Sequence, residues 1–211
     1  SEGFRIGGLN VYSLATAGLP LTFESDTTKN YEIGTRFDLI DRTLSVDVTA
    51  YHIDWGNIQA RLFTPGDFRA YTVNGGGADI DGVEISLNLR PTRNLSFTSN
   101  IAYNDARLSS LLPDSFAPGG GYAKGTRLPG ASEWTLSNSL DLSFPDMSLK
   151  PRFGIAHRYL SSAPVDFAGT LDKGDFHLVD LNASVTVSER IELSLFAKNL
   201  FNQYGILNAP F

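Results

Sequence analysis

Polar and apolar residues alternate with a period of two along much of this chain. Between Trp134 and Phe144 the even positions are almost all apolar and the odd positions are all polar. Successive side chains of a β-strand point to opposite faces, so this segment is predicted to be a strand that separates two media.

The same alternation recurs in seven further segments. They lie at 31–39, 44–50, 83–89, 95–103, 152–159, 179–187 and 191–197. No segment has convincing helical periodicity, so we predict an all-β antiparallel meander of about eight long strands.

The connections between these strands alternate in length. Short turns are predicted near 41–42, 91–94, 145–146 and 188–190, and long Gly- and Pro-rich loops near 54–77, 104–131 and 160–175. This sorting is typical of an outer-membrane β-barrel, with periplasmic turns and extracellular loops. Both ends of the eight-strand segment would lie outside, so we expect a slice of a larger barrel.

Composition narrows the class of protein further. The 211 residues carry a formal net charge of -6 and no cysteine. Nucleic acid is therefore excluded as an expected partner, as are disulfide and thiol chemistry. No window offers the roughly 18 consecutive apolar residues of a membrane-spanning helix. The first residues do not form a signal peptide, so we expect either a removed leader or a start within a longer protein.

Aromatic residues are expected to mark the two membrane interfaces, because their rings are partly apolar and partly polar. Counting from the turns predicts one lipid-facing belt near the outer rim and another near the lower rim. The outer belt comprises Tyr31, Tyr103, Trp134 and Tyr159, and the lower belt Phe37, Phe97 and Phe144.

Charges on the opposite, lumen-facing side are mixed in sign. They are Glu32, Arg36, Asp38, Asp47, Glu84, Asp141, Arg152, Asp180, Glu192 and Lys198. An ion-selective pore favours one sign, whereas a mixed lining suits either a wall bonded to an internal plug or a merely hydrated lumen.

The long loops combine aromatic and cationic residues, which can grip a ligand such as an anionic iron chelate or a sugar. Our candidate ligand-binding residues are Arg61, Arg69, Tyr71, Tyr122, Lys124 and Arg127, with Phe63, Phe68 and Phe116 beside them. Exposed loops also carry such residues without any binding role.

Three other features are given structural interpretations. Gly75-Gly76-Gly77 precedes a strand rather than a helix, unlike a phosphate-binding loop. Asp79-Ile80-Asp81-Gly82 lacks the other ligands of a calcium loop. His52, His157 and His177 share parity with lipid-facing residues and suit an interface. We therefore expect no catalytic residues, no resident metal, no cofactor and no enzyme activity.

Several segments resemble the C-terminal barrel of TonB-dependent outer-membrane receptors. They occur in the family's order and span essentially the whole chain. They are Ser1–Asn10 (SEGFRIGGLN), Lys29–Gly34 (KNYEIG), Ala50–Gln59 (AYHIDWGNIQ), Val73–Ala78 (VNGGGA) followed by Gly82–Glu84, and Lys198–Tyr204 (KNLFNQY).

This resemblance implies a 22-stranded barrel, filled by an N-terminal plug, in the outer membrane of a Gram-negative bacterium. Residues 1–211 would form a C-terminal portion of that barrel, without the plug domain, the TonB box or the final strand. The expected partners are outer-membrane lipid, the protein's own plug, TonB acting through the plug, and a small nutrient. The implied cargo is an iron-siderophore complex, cobalamin or a carbohydrate.

Two alternatives remain at this point. A passive porin or adhesin-type barrel would have the same wall without energy coupling. A soluble β-sandwich binding module would have the same alternation, although its strands tend to be shorter, about 5–6 residues.

Overall fold

The computed structural model describes residues 1–11 and 18–207, which form an all-β structure. The strands are β1 (Glu2–Arg5), β2 (Gly8–Leu9), β3 (Thr22–Phe23), β4 (Asp26–Leu39), β5 (Leu44–Gly56), β6 (Gln59–Phe63), β7 (Ala70–Asn74), β8 (Gly77–Thr92), β9 (Leu95–Leu108), β10 (Leu112–Pro113), β11 (Gly121–Tyr122), β12 (Trp134–Ser143), β13 (Arg152–Leu160), β14 (Ala163–Pro164), β15 (Asp172–Lys173), β16 (Phe176–Ser188) and β17 (Ile191–Ala197). Within these described residues, no helix is long and apolar enough to cross a membrane.

One antiparallel sheet carries the eight predicted strands and one more. Its order is β1-β4-β5-β8-β9-β12-β13-β16-β17, so from β4 onward each long strand pairs with the next long strand in the chain. The added strand, β1, pairs with the start of β4 through Glu2↔Lys29 to Arg5↔Asp26. The predicted all-β meander of about eight long strands is confirmed, and the four-residue β1 adds one short strand to this sheet.

The predicted short turns and long loops also occur, with shifted boundaries. The turn after β12 spans 144–151 and is longer than the predicted pair, whereas the other three turns are short. The predicted loop 104–131 begins only at 109, because β9 continues to Leu108. Short two-stranded sheets lie within the long connections: β2-β3, β6-β7, β10-β11 and β14-β15.

Buried apolar residues collect at the loop end of the molecule rather than on either face of the large sheet. The cluster consists of Leu19, Ile58, Ala60, Leu62, Tyr71, Val73, Ala78, Ala106, Leu108, Leu112 and Leu128. By contrast, apolar residues on the strands are widely exposed, and Ile33 is 78% accessible. Large exposed apolar surfaces mark an interface with another protein or a membrane.

Candidate functional site

The outward face of the sheet is an apolar surface with a defined upper edge. Tyr103 and Trp134 pair directly across β9 and β12, and their ring centroids are 4.9 Å apart. Below them the same face carries Ile101 paired with Leu136, then Phe97 with Leu140 and Leu95 with Leu142. From Tyr103 to Leu95 this surface covers about 26 Å along the strand, which at a tilt of about 35–45° corresponds to about 18–21 Å of the roughly 25 Å height of an outer-membrane apolar band.

Immediately above that edge the outward face becomes polar. Tyr31, His52, Asp81 and Asp105 occupy one row across four strands. Nδ1 of His52 lies 2.8 Å from the Asp81 carboxylate, and the His52 ring stacks on Tyr31. An abrupt change from apolar to ionisable side chains is what a membrane–water boundary requires.

The aromatic residues predicted for the belts are located by the register of the sheet. Tyr31 lies two residues above the Tyr103–Trp134 row, and Tyr159 pairs with Leu136 two residues below it. Phe97 lies in the lower group, Phe37 pairs with Val46 two residues above the row of Phe97, and Phe144 follows the end of β12. Their roles as interface belts stay a prediction.

A chain of polar side chains crosses the middle of the apolar surface. Ser99 Oγ donates to Asn138 Oδ1 at 2.7 Å, and Asn138 Nδ2 lies 3.1 Å from His157 Nδ1. His157 Nε2 then lies 2.9 Å from His177 Nδ1, and Tyr159 stacks on His177. Alternation predicted the outward direction of His157 and His177 but not this contact, which depends on strand register.

The opposite face is polar and its charges partly pair across strands. Arg158 Nη2 lies 2.8 Å from the Asp180 carboxylate, and Arg36 lies 3.6 Å from Asp47. The phenol of Tyr51 reaches over Gly82, where an added Cβ would lie 2.1 Å from the Tyr51 ring. A glycine is therefore required for that close approach.

A buried carboxylate links several strands at the loop end of the sheet. Sequence analysis did not identify it. Asp26 is 1% exposed, and its Oδ2 accepts from Trp55 Nε1 at 2.8 Å and from Gln59 N at 3.3 Å. Arg5 forms an ion pair with the same carboxylate and lies over the Trp55 ring. Arg5, Asp26 and the segment from Trp55 to Gln59 are far apart in sequence, so no local pattern predicts their contact.

The three long connections enclose a cavity of about 350 Å³ at the loop end. Its lining is Arg61, Leu62, Phe63, Thr64, Pro65, Phe68, Asp114, Phe116, Ala117, Pro118, Tyr122, Pro129, Val165, Asp166, Phe167 and Ala168. A mostly apolar, aromatic lining with a few polar groups, at this volume, is typical of a small-molecule site.

The predicted ligand-binding residues separate into two groups. Arg61 and Tyr122 line the cavity, with Phe63, Phe68 and Phe116. Tyr71 is 2% exposed and donates to Asp114 Oδ1 at 2.5 Å, so it supports the floor of the cavity instead of lining it.

The other predicted cations are directed elsewhere. Arg127 lies 3.5 Å from Glu133 and donates to the backbone oxygens of Ala131 and Ser162. Arg69 lies 2.9 Å from Asp67, and Lys124 is exposed in the loop after β11. None of these three lines the cavity.

The structure places the remaining sequence features away from any reactive cluster. Asp79 and Asp81 lie within β8, and Gly75 and Gly76 immediately precede that strand. In residues 1–11 and 18–207, no group of three or more His, Asp or Glu side chains could hold a metal ion.

These features define a class of protein: part of a membrane β-barrel wall, with an apolar outer surface, a polar inner face and a ligand-sized cavity between its outer loops. The family is shown by comparison. A family model described as TonB dependent receptor-like, beta-barrel, matches residues 1–200. The chain belongs to this family, whose members are proteins of the Gram-negative outer membrane.

Relatives of known name fit the same family. The chain is 24% identical over 216 residues to the pesticin receptor of Yersinia pestis, covering 99% of this chain and 30% of that receptor. Its fold is similar to that of the ferric yersiniabactin uptake receptor of Yersinia pestis, with a TM-score of 0.75, 18% identity, and coverage of 100% of this chain and 30% of the other.

A second solved structure has the same fold. It is the siderophore receptor PiuA of Acinetobacter baumannii, with a TM-score of 0.70, 16% identity, and coverage of 98% of this chain and 30% of the other. The chain thus spans about 30% of the length of the relatives it matches.

Proposed function

We propose that this chain is the outer-loop and wall portion of an active transporter that imports a scarce metal chelate, such as an iron-siderophore complex, across the outer membrane. Ligand is captured between the long loops and drawn through the barrel, with energy delivered by TonB through a plug domain. The aromatic belts hold the wall at the two membrane interfaces.

The observation that carries this proposal is the position of the cavity. It lies between three connections at the loop end of a sheet whose outward face is largely apolar. A ligand bound there is outside the membrane and above the polar inner face. Two proteins of similar fold are a ferric yersiniabactin uptake receptor and a siderophore receptor. This supports a metal chelate as the cargo over cobalamin or a carbohydrate.

The mixed charges of the inner face favour a lumen filled by a plug over an open pore. Its charges are of both signs, and pairs such as Arg158 with Asp180 leave no uniform field for selecting ions. Glu32, Tyr51, Glu84 and Asn104 line a second cavity on this face, beneath the loop at 128–131. We propose that the plug contacts this polar wall.

Uptake in cells with and without TonB tests the proposal. The full-length receptor would be expressed in a Gram-negative host supplied with radiolabelled iron bound to each of a panel of siderophores. We expect accumulation to stop when TonB is deleted or the proton gradient collapses, while surface binding persists. Restoring TonB on a plasmid should restore uptake.

A passive porin behaves differently, because flux through it follows the concentration gradient. Equal accumulation with and without TonB would therefore overturn active transport. Preferential accumulation of cobalamin or of a labelled sugar would retain energy coupling but overturn the metal-chelate cargo.

A further inference from the structure

The cavity between the outer loops combines an aromatic wall with one deeply buried carboxylate. Its walls come from β6 and the turn after it, from the 109–133 loop and from residues 165–168. Three separate connections therefore meet around one space. Such convergence is unusual for loops that serve only as linkers, which lie independently over the surface.

Aromatic rings surround this space on several sides. Tyr122 stacks on Phe167 with centroids 5.3 Å apart, and Phe116 packs edge-on against Tyr71 at 5.9 Å. Phe68 is 62% exposed beside the opening. Ring faces attract cations through the quadrupole of the π-system, and Arg61 already lies 5.6 Å from the Phe63 centroid.

Asp114 provides the negative charge at the floor. It is 6% exposed and lines the cavity. Its Oδ1 accepts from the Tyr71 hydroxyl and from the Phe116 backbone N–H at 2.9 Å. Burial, and next the Asp114 carboxylate, raise the pKa of the Tyr122 phenol, so this side chain remains a neutral neighbour.

No cationic side chain neutralises Asp114 in the part of the chain that the structure describes. The eight ion pairs found there join other groups, and Asp114 takes part in none of them. A second carboxylate, Asp166, also lines the cavity, against the single cation Arg61. A buried anion without a counter-charge is costly, and a bound cation removes that cost.

We propose that this cavity binds an organic cation, namely a primary ammonium or guanidinium group attached to an apolar or aromatic body. Asp114 receives the charged group, and the rings of Phe116, Tyr122 and Phe167 contact the body of the ligand. This inference rests on the proposed function in one respect: the cationic group would be part of the imported cargo. It differs from the sequence-based hypothesis that aromatic and cationic loop residues grip a ligand such as an anionic iron chelate or a sugar.

Three related probes test the charge preference directly. Tyramine carries an ammonium group, N-acetyltyramine is a neutral amide analogue of it, and 3-(4-hydroxyphenyl)propionate carries the opposite charge. Each would be titrated into the purified full-length receptor in detergent and followed by ligand-detected NMR. We expect tyramine to bind at least about 10-fold more tightly than N-acetyltyramine, and the propionate more weakly still. Equal affinities, a preference for the propionate, or no binding of tyramine would overturn the proposal.

Matched substitutions locate the charge. Asp114→Asn retains an acceptor for Tyr71 and removes the negative charge, so it should abolish the preference for tyramine. Asp67→Asn makes the same change nearby at a carboxylate already paired with Arg69, and should leave the preference intact. Unchanged tyramine binding in Asp114→Asn, or equal loss in both variants, would overturn the assignment. A heat-modifiable gel band establishes that each variant is folded.

Phe167→Leu provides a second test that leaves every charge in place. Removing one ring from the cavity should weaken tyramine binding severalfold, because the cation–π attraction is lost while the volume is largely kept. Unchanged binding would overturn the role of this ring. These measurements are made at equilibrium without TonB, so failure of the transport proposal, seen as TonB-independent uptake, is distinguishable from failure of the cation site.

Discussion

Neighbouring residues in the large sheet experience opposite surroundings. Ser139 pairs with Thr98 on the polar inner face, whereas Leu140 pairs with Phe97 and Ile155 on the apolar outer face. A charge on the outer face must be transferred into lipid, but the same charge one residue earlier remains hydrated.

We predict that Leu140→Arg in the full-length receptor destabilises the barrel by about 2–4 kcal/mol. Ser139→Arg, the adjacent control, should change the stability little. Folding titrations into lipid vesicles measure both. An unchanged free energy of unfolding for Leu140→Arg would mean that this face is hydrated and does not contact lipid.

The Asp26 carboxylate stabilises the loop end of the sheet through the hydrogen bonds that it accepts. Burial opposes its ionisation, but hydrogen bonds from Arg5, Trp55 and Gln59 outweigh burial, so the pKa of Asp26, which lies at the loop end of β4, is lowered from 3.8. A lowered pKa means that the stabilisation is fully present above pH 3.8 and is lost as the pH falls through the lowered value.

The change Asp26→Asn is expected to loosen this end of the sheet locally. An amide has a single acceptor oxygen, so it cannot accept both from the Arg5 N–H, as Oδ1 does, and from Trp55 and Gln59, as Oδ2 does, at a cost of about 1–3 kcal/mol. Hydrogen exchange at the Gln59 amide should therefore become faster. Asp38→Asn, at the other end of β4, serves as the control, and equal protection of Gln59 in all three proteins would contradict the prediction.

Among the elements, the long connections form packed structure of their own. Leu112 and Leu128 of the 109–133 loop pack in one cluster with Leu62, Tyr71 and Val73 of the β6-β7 hairpin. The loops therefore support one another, and a cavity with fixed walls results.

Replacing 109–133 by a short turn tests this dependence. We predict that ligand capture is lost, because Asp114, Phe116 and Tyr122 leave with the loop, while the barrel still gives a heat-modifiable band. The β6-β7 hairpin should become sensitive to protease, since Leu62 and Tyr71 lose their cover. A smaller deletion of residues 117–119, which lie outside the buried cluster, should leave that hairpin protected. Unfolding of the whole barrel would contradict the prediction.

Alternation located the long strands but not the elements within the loops. Strands β4, β5 and β8 are longer than the segments of alternating polarity that predicted them. Their hydrogen bonds to neighbouring strands continue above the apolar band. The hairpin β6-β7 has only five residues in each strand and is stabilised by the neighbouring loops. Local sequence carries little information about either effect.

At the scale of the whole molecule, the two outer strands of the sheet have open edges. β1 covers β4 only from Asp26 to Lys29, and β17 pairs on one side with β16, in the part of the chain described. Unpaired backbone groups are costly in lipid and invite association between sheets.

We predict that residues 1–211 expressed alone do not insert as a stable closed barrel. They should aggregate or remain unfolded in lipid vesicles, where the full-length receptor gives a heat-modifiable monomer. Semi-native gel electrophoresis distinguishes the two, and a monomeric heat-resistant band from 1–211 would refute the prediction.

The sequence by itself determined which residues share the apolar face of the sheet and which share the polar face, because that choice depends on the alternation of side chains along each strand. It also predicted which strands pair across the short turns, such as β4 with β5 and β8 with β9, because a turn of a few residues brings its two strands side by side. Only the tertiary structure decided that Asp114, without an ion-pair partner in the described chain, lies among rings from three loops, and that Arg127 is directed toward Glu133 and away from the cavity. Those contacts join residues far apart in sequence, and their energies depend on burial and register, which no local pattern encodes.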